Sequence, residues 1–303
     1  MDFTPMDPTE FEQSFHPVFD IVRTKTGAIS IRNKLVNETM HNPVGPWLEA
    51  NALYIDQPRL REKLAENLND EFVIFDVGLG AAANALAALA CIHSMHQSAR
   101  PVRIVSFERD LELLRFALDH SKYFEHFKGY EVALEELLEK NFWTDGKISW
   151  ELRHGDFLEL IQKETHKAHL VFYDPYSPKM NEDMWTTHCF KLLRAKCHEP
   201  QDGSASLFTY SIATRIRVSM ILAGFYVGYG EATGAKTETT QASTALDQVF
   251  KPLGEAWRER WRKSHIRNSF DCAPADEATE DRLIEEHLAH VIQTIQTIKA
   301  THQ

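Results

Sequence analysis

Apolar and polar positions alternate along this chain between the two-residue period of strands and the three-to-four-residue period of helices. The plainest stretch is 72–92, FVIFDVGLGAAANALAALACI: an apolar run, an acidic residue, a glycine turn and an alanine-rich run. Phe72 to Phe75 are β-branched or aromatic, as a strand buried on both faces requires, and Asp76 is expected where that strand emerges into solvent. Gly78 and Gly80 turn the chain, and Ala81 to Ala90 form a helix of small side chains able to lie close against a sheet.

The same reading extends in both directions. Phe19 to Arg23 and Ala28 to Arg32 flank TKTG and predict a β-hairpin; residues 47–68 read as helical, interrupted near Pro58. Val102 to Phe107 make a second strand that ends in Glu108. Residues 110–140 are largely helical, with Tyr123, Phe124, Phe127 and Tyr130 as a packing group. Trp150 to Arg153 form a third strand, followed by His154-Gly155-Asp156 and a helix from Phe157. A fourth, 168–174, leads into Pro175-Tyr176-Ser177-Pro178-Lys179-Met180-Asn181 and a helix containing Trp185. Leu207 to Tyr210, a helix from Ile212 to Ala223, Phe225 to Tyr229 and Thr237 to Ser243 continue the alternation, giving an α/β sheet of about seven strands. In the tail, Ile284, Leu288, Val291, Ile295 and Ile298 lie on one helical stripe, expected to pack on its own domain.

Composition narrows the class. With 303 residues, 43% hydrophobic and 25% charged, the chain has the make-up of a soluble protein with a sizeable core. No apolar run approaches the roughly 20 residues of a membrane-spanning helix. The N-terminus MDFTPMDPTE lacks the basic and apolar parts of a signal peptide, so a cytoplasmic location without membrane attachment is expected. Cys91, Cys189, Cys197 and Cys272 show no CxxC spacing, which favours reduced thiols. The pairs His93/His96, His166/His169 and His287/His290 lack the further ligands a metal site needs, and no metal is expected. A net charge of −11 argues against indiscriminate nucleic-acid binding. One local exception is 251–267, KPLGEAWRERWRKSHIR, with six basic and two acidic side chains around Trp257 and Trp261. It is either a helix with inward tryptophans and solvated arginines, or an RNA-contacting face built from Arg258, Arg260, Arg262, Lys263 and Arg267.

The candidate chemistry lies at the ends of the predicted strands. Glycines before a helix N-terminus let a ligand approach bare backbone at the positive end of the helix dipole. Asp76, two positions before Gly78, would repel the pyrophosphate of NAD but suits the ammonium of S-adenosylmethionine; the third glycine of a dinucleotide fingerprint is also absent. Glu108, at the second strand's tip, is placed for ribose hydroxyls, and Asp156 either caps the following helix or also binds the adenine amino group. Asp174-Pro175-Tyr176 follows the fourth strand. Its carboxylate can accept a hydrogen bond from an amine, its proline restricts the loop, and its tyrosine face can stabilise the cation formed on alkylation; the stretch also reads as a plain turn. The loop from Glu38 to Ala50, dense in prolines and polar groups, is a further candidate.

Taken together, Glu38-Thr39-Met40-His41 with Gly45-Pro46 and Glu49-Ala50, Asp76-Val77-Gly78-Leu79-Gly80 with Asn84, His154-Gly155-Asp156, Asp174-Pro175-Tyr176-Ser177-Pro178-Lys179 with Asn181 and Trp185, and Gly234-Ala235-Lys236 carry a resemblance. Over about residues 18–265 the chain resembles the methyltransferase domain of the MnmC-type tRNA-modifying enzymes, particularly stand-alone relatives lacking the oxidase domain. It departs from that family at Asp76, often glutamate, and at Ala82, where a glycine is usual. The resemblance implies a Rossmann-like class I S-adenosylmethionine-dependent methyltransferase fold, a mostly parallel sheet with helices on both faces. Residues 1–70 would be a hairpin and helical cap contributing to the site, 71–250 the methyltransferase domain and 251–303 a helical extension.

The implied reaction is methylation of the 5-aminomethyl group of wobble 2-thiouridine in tRNA, with an oxidase partner acting upstream. Asp76, Gly78, Gly80, Asn84, Glu108, Asp156 and Asp174 would bind the cofactor; Asp174, Tyr176, Glu38 and His41 would serve catalysis. Rival readings are a spermidine-synthase-like aminopropyl transferase, for which no second acidic cluster is evident, and a non-catalytic nucleotide- or RNA-binding protein.

Overall fold

The computed structural model describes residues 16–24, 26–39, 44–66, 69–95, 100–233 and 237–301, with the side chain of Glu38 outside the description. By internal contacts the chain divides into two compact units, residues 1–155 with 232–237 and residues 156–231 with 238–303.

In the first unit, β1 (Phe19–Arg23) and β2 (Ile29–Asn33) form the predicted antiparallel hairpin, to which β3 (Glu38–Thr39) adds a short third strand. His16 and Phe19 seat the hairpin on Phe116, at ring-centroid distances of 5.1 and 5.6 Å. Helix α1 (Pro46–Ala50) runs on through a π-helical stretch, Asn51–Asp56, before the break near Pro58 and α2 (Leu60–Ala65). Then come β4 (Phe72–Val77), α3 (Ala83–Ser94), β5 (Val102–Glu108), α4 (Glu112–Asp119), α5 (Glu131–Lys140), β6 (Phe142–Asp145) and β7 (Ile148–His154). Strands β4, β5 and β7 are parallel, and β6 turns back antiparallel on β7. Strand β6 has no counterpart in the sequence reading: its burial pattern is almost wholly exposed, so it carries no apolar signature. Its turn at Asp145-Gly146, with Gly146 at φ +57°, is the only local signal.

The second unit holds α6 (Phe157–Lys163), β8 (Leu170–Tyr173), α7 (Thr187–Arg194), β9 (Ser206–Thr209), α8 (Thr214–Leu222), β10 (Tyr226–Gly230), β11 (Thr239–Ser243), α9 (Glu255–Lys263) and α10 (Glu277–Thr301). β8 and β9 are parallel, and β11 lies antiparallel to both β9 and β10, so three of the four strands share one direction, as in the first unit. The architecture is the expected α/β one, mostly parallel; strands β4 to β11 number eight, exceeding the expected seven by β6. The apolar stripe of α10 is buried at Ile284, Leu288 and Val291, against α8 and α9, whereas Ile298 is exposed. Among the described residues no helix is long and apolar enough to cross a membrane.

The segment before α10 reaches back to the strand ends. Arg215, in the first turn of α8, donates to the carbonyls of Asn268 and Ser269 and lies over the Phe270 ring. Asp271 then accepts the backbone N–H of Thr187 at 2.8 Å and of His188 at 3.0 Å, capping α7 from 84 residues away. Partial burial acts to raise its carboxyl pKa, but these amide bonds prevail and hold it below its ordinary value. A depressed carboxyl gives stability that is present above the unfolded pKa and lost as pH falls through the folded one. Asp271→Asn, which keeps one acceptor oxygen of two, is expected to cost about 1 kcal/mol near neutral pH. Denaturant titrations should show that difference at pH 7 and its decline as the pH falls below the ordinary carboxylate range; equal stability at pH 7 would remove Asp271 from this role.

Candidate active site

In the first unit the candidate residues gather around the loop between β4 and α3. The register of β4 with β5 sets Val77 beside Phe107, and the amides of Gly78 and Leu79 both donate to the Phe107 carbonyl, at 3.0 and 3.3 Å. Gly78 and Gly80 adopt φ of +89° and +55°, the left-handed region expected of them. A Cβ at Gly80 would meet nothing closer than Leu113 at 3.8 Å, so its glycine answers to backbone conformation rather than crowding. Ala82 is left-handed as well, at φ +61°, which costs a residue with a Cβ about 1 kcal/mol and shows why glycine suits this position. It starts α3, whose N-terminus carries no side-chain cap. Asn84 is buried in the first turn.

Asp76 departs from expectation. Rather than emerging into solvent it is fully buried, because β4 continues to Val77. Its Oδ2 accepts from Ser106 Oγ at 2.7 Å, and that oxygen accepts from Trp150 Nε1 at 2.9 Å. A chain of two hydrogen bonds thus ties β4, β5 and β7 together directly beneath the glycine loop.

Glu108 closes the loop from the other side. Its Oε2 accepts from the Gly80 amide at 2.9 Å, and its Oε1 from the amides of Arg109 and Asp110 at 2.8 and 3.0 Å. Burial raises its pKa, against the lowering effect of those three amides. A carboxylate offers about four acceptor positions. Three of these are filled by the amides of Gly80, Arg109 and Asp110.

A separate group of candidate residues lies at the strand ends of the second unit. Asp156 is the N-cap of α6, its Oδ1 accepting from Leu158 and Glu159 at 2.9 and 3.4 Å. Asp174 follows β8 and is half-buried, Pro175 is buried, and Tyr176 is 36% exposed. Beneath the loop sits an aromatic group. Trp185 Nε1 donates to the Tyr176 carbonyl at 2.9 Å, and Tyr210 Oη donates to the Pro175 carbonyl at 3.0 Å. Tyr173 meets Trp185 edge-on at 5.3 Å, and its hydroxyl donates to the Met184 carbonyl beside Cys189 Sγ. Burial holds the Tyr173 phenol well above its ordinary pKa and pushes the Cys189 thiol up to about 12, so both stay neutral structural groups.

The remaining expected residues are distributed as follows. His41 and Gly234-Ala235-Lys236 lie outside the described residues, as does the Glu38 side chain. In the basic segment, Trp257 and Trp261 point inward. Arg258 and Arg262 are held by Glu285, and Arg267 by Asp281, both on α10; Arg260 donates to Tyr229 Oη at 2.6 Å. Three of the six cations of the segment are therefore paired with two carboxylates of α10. Ser106, Trp150, Tyr210 and Asp271 take part in holding the site without having been singled out in the sequence.

Comparison with known proteins agrees with this geometry. Residues 123–245 match a family described as S-adenosyl-L-methionine-dependent methyltransferase. The tRNA 5-methylaminomethyl-2-thiouridine biosynthesis bifunctional protein MnmC of Pseudomonas putida is 28% identical over 222 residues, 70% of this chain and 33% of that protein. The protein of the same name from Aeromonas hydrophila is 28% identical over 214 residues, 66% of this chain and 32% of its own length. The chain thus spans about a third of these relatives. The crystal structure of MnmC2 from Aquifex aeolicus superposes with a TM-score of 0.67 at 25% identity, covering 92% of this chain and 86% of that one. With its glycine loop, its acidic strand end and its Asp-Pro-Tyr turn, the chain carries an MnmC-like methyltransferase domain on a class I S-adenosylmethionine-dependent methyltransferase fold.

Proposed function

We propose that this chain is an S-adenosylmethionine-dependent N-methyltransferase that acts on the 5-aminomethyl group of wobble 2-thiouridine in tRNA, in the cytoplasm, after an oxidase partner has exposed that amine. The observation that carries the reading is the Asp174-Pro175-Tyr176 turn at the tip of β8, with both of its following carbonyls held from below. The names of the MnmC relatives supply the substrate.

The donor set suits the cofactor. Positive-φ glycines and an uncapped helix N-terminus leave backbone open to a zwitterion, with the buried Asp76 as nearby negative charge. Glu108 keeps one acceptor position for a ribose hydroxyl, and Asp156 Oδ2 is left by the helix cap for the adenine amino group. Gly78, Gly80 and Asn84 would border the methionine part, and Asp174 is a further cofactor candidate from the sequence. When bound, the cofactor supplies an electrophilic methyl group on a sulfonium.

The protein's own tasks are to position the amine, exclude water and accept a proton. A primary alkylamine near neutral pH is mostly protonated and has no lone pair to attack with. Asp174 takes up that proton, directly or through water, and Tyr176 offers its ring face to the alkylated cation. Glu38 and His41 are the further catalytic candidates from the sequence.

Asp174→Asn keeps the shape and removes the basicity, so turnover on an aminomethyl-uridine tRNA should fall on the order of 100- to 10,000-fold, with cofactor affinity nearly intact. Near-normal turnover would make Asp174 only a turn residue. In calorimetry, S-adenosylmethionine should bind far more tightly than NAD, and Glu108→Ala should weaken it by about 1 to 3 kcal/mol. Equal affinity for NAD would defeat the cofactor assignment. For tRNA, Arg260 and Lys263 have no carboxylate partner among the described ion pairs. Reversing both to Glu should weaken binding and reduce the salt slope by about 2; an unchanged slope would make the α9 cations purely structural.

A further inference from the structure

We propose that Tyr210 and Trp185 are positioning residues that together aim the Tyr176 ring, an inference that rests on the catalytic reading of Tyr176 above. The two peptide planes flanking the Tyr176 Cα are the Pro175–Tyr176 and Tyr176–Ser177 planes. The carbonyl of the first receives the Tyr210 hydroxyl at 3.0 Å, and the carbonyl of the second the Trp185 indole N–H at 2.9 Å. Peptide groups are rigid planes, so fixing both fixes φ and ψ of the residue between them and with these the direction of its Cα–Cβ bond. On the other side, Pro175 has its own φ locked and restricts Asp174 to extended backbone. The Tyr176 side chain is therefore carried on a backbone restrained at both flanking peptide groups.

The two donors are themselves held. Trp185 is fully buried, meeting Tyr210 edge-on at 5.8 Å and Tyr173 at 5.3 Å. Tyr210 follows β9 directly, and the β8–β9 register, Phe172 beside Phe208, brings it level with Asp174 when continued by two residues. The clamp thus joins the loop after one strand to the end of the next, through a hydroxyl whose removal leaves the ring packing in place. Reacting groups must stay within a few tenths of an ångström of their productive geometry, and a displacement of about 1 Å costs on the order of 100-fold in rate.

Tyr210→Phe deletes one hydrogen bond and keeps the ring. Its single-turnover methyl transfer should slow by roughly 10-fold, with S-adenosylmethionine affinity within about 2-fold of wild type. Because the loop is loosened, the amides of Met180 and Asn181, which close on the Ser177 carbonyl at 2.8 and 3.0 Å, should exchange with solvent about 10-fold faster, whatever the substrate. The decisive comparison is made in a Tyr176→Ala background, where Tyr210→Phe should cost no more than about 2-fold further, since the ring it aims is gone. The same loss in both backgrounds, or unchanged exchange at Met180 and Asn181, overturns the positioning role. Tyr176→Ala slow with Tyr210→Phe at the wild-type rate overturns the clamp alone; Tyr176→Ala at the wild-type rate overturns the catalytic reading and the clamp's function with it.

Discussion

The bond between the Gly80 amide and the Glu108 carboxylate is the constraint on which the glycine loop of the first unit depends. It exists only because the parallel register of β4 and β5 sets two strand ends level, so that a turn leaving one can be closed by the residue ending the other. Phe107 contributes its carbonyl to the same closure, and the Asp76–Ser106–Trp150 chain fixes the strands one step below. Three backbone amides gathered on one partly buried carboxylate are an arrangement that burial opposes and hydrogen bonding sustains. Glu108 is thereby a structural latch first, and a ligand group only with the acceptor position that remains.

Local pattern made much of this legible. The strand–glycine–helix order at 72–92, the acidic end of β5 and the Asp-Pro-Tyr turn after β8 are contiguous signals, and the structure places each at a strand end. What escaped was set by partners distant in sequence. Asp76 looked like a residue at a strand's exit, but β4 runs one position further and buries it against Ser106, 30 residues away. Tyr210 reaches Pro175 across 35 residues through strand register, and Asp271 caps α7 across 84. Strand β6 was silent because an exposed edge strand needs no apolar alternation.

Charge shows the same limit. The run of cations in 251–267 stands out in a chain of net charge −11, yet Glu285 and Asp281 of α10 take up Arg258, Arg262 and Arg267. The acidic and basic halves of this extension are complements of each other, a relation that composition cannot express because it depends on which helix faces lie together. Such exposed pairs contribute little to stability individually. Their consequence is to reduce the positive potential available to a polyanion.

The central claim is that an amine on a tRNA wobble base receives a methyl group here. It is tested most directly by incubating the purified chain with S-adenosylmethionine and tRNA bearing 5-aminomethyl-2-thiouridine, then digesting the tRNA and weighing its nucleosides. The account predicts conversion of that nucleoside to a product heavier by one methylene unit, about 14 mass units, with the added carbon on the side-chain nitrogen. Cofactor bound and tRNA bound, but the nucleoside recovered unchanged, would contradict it.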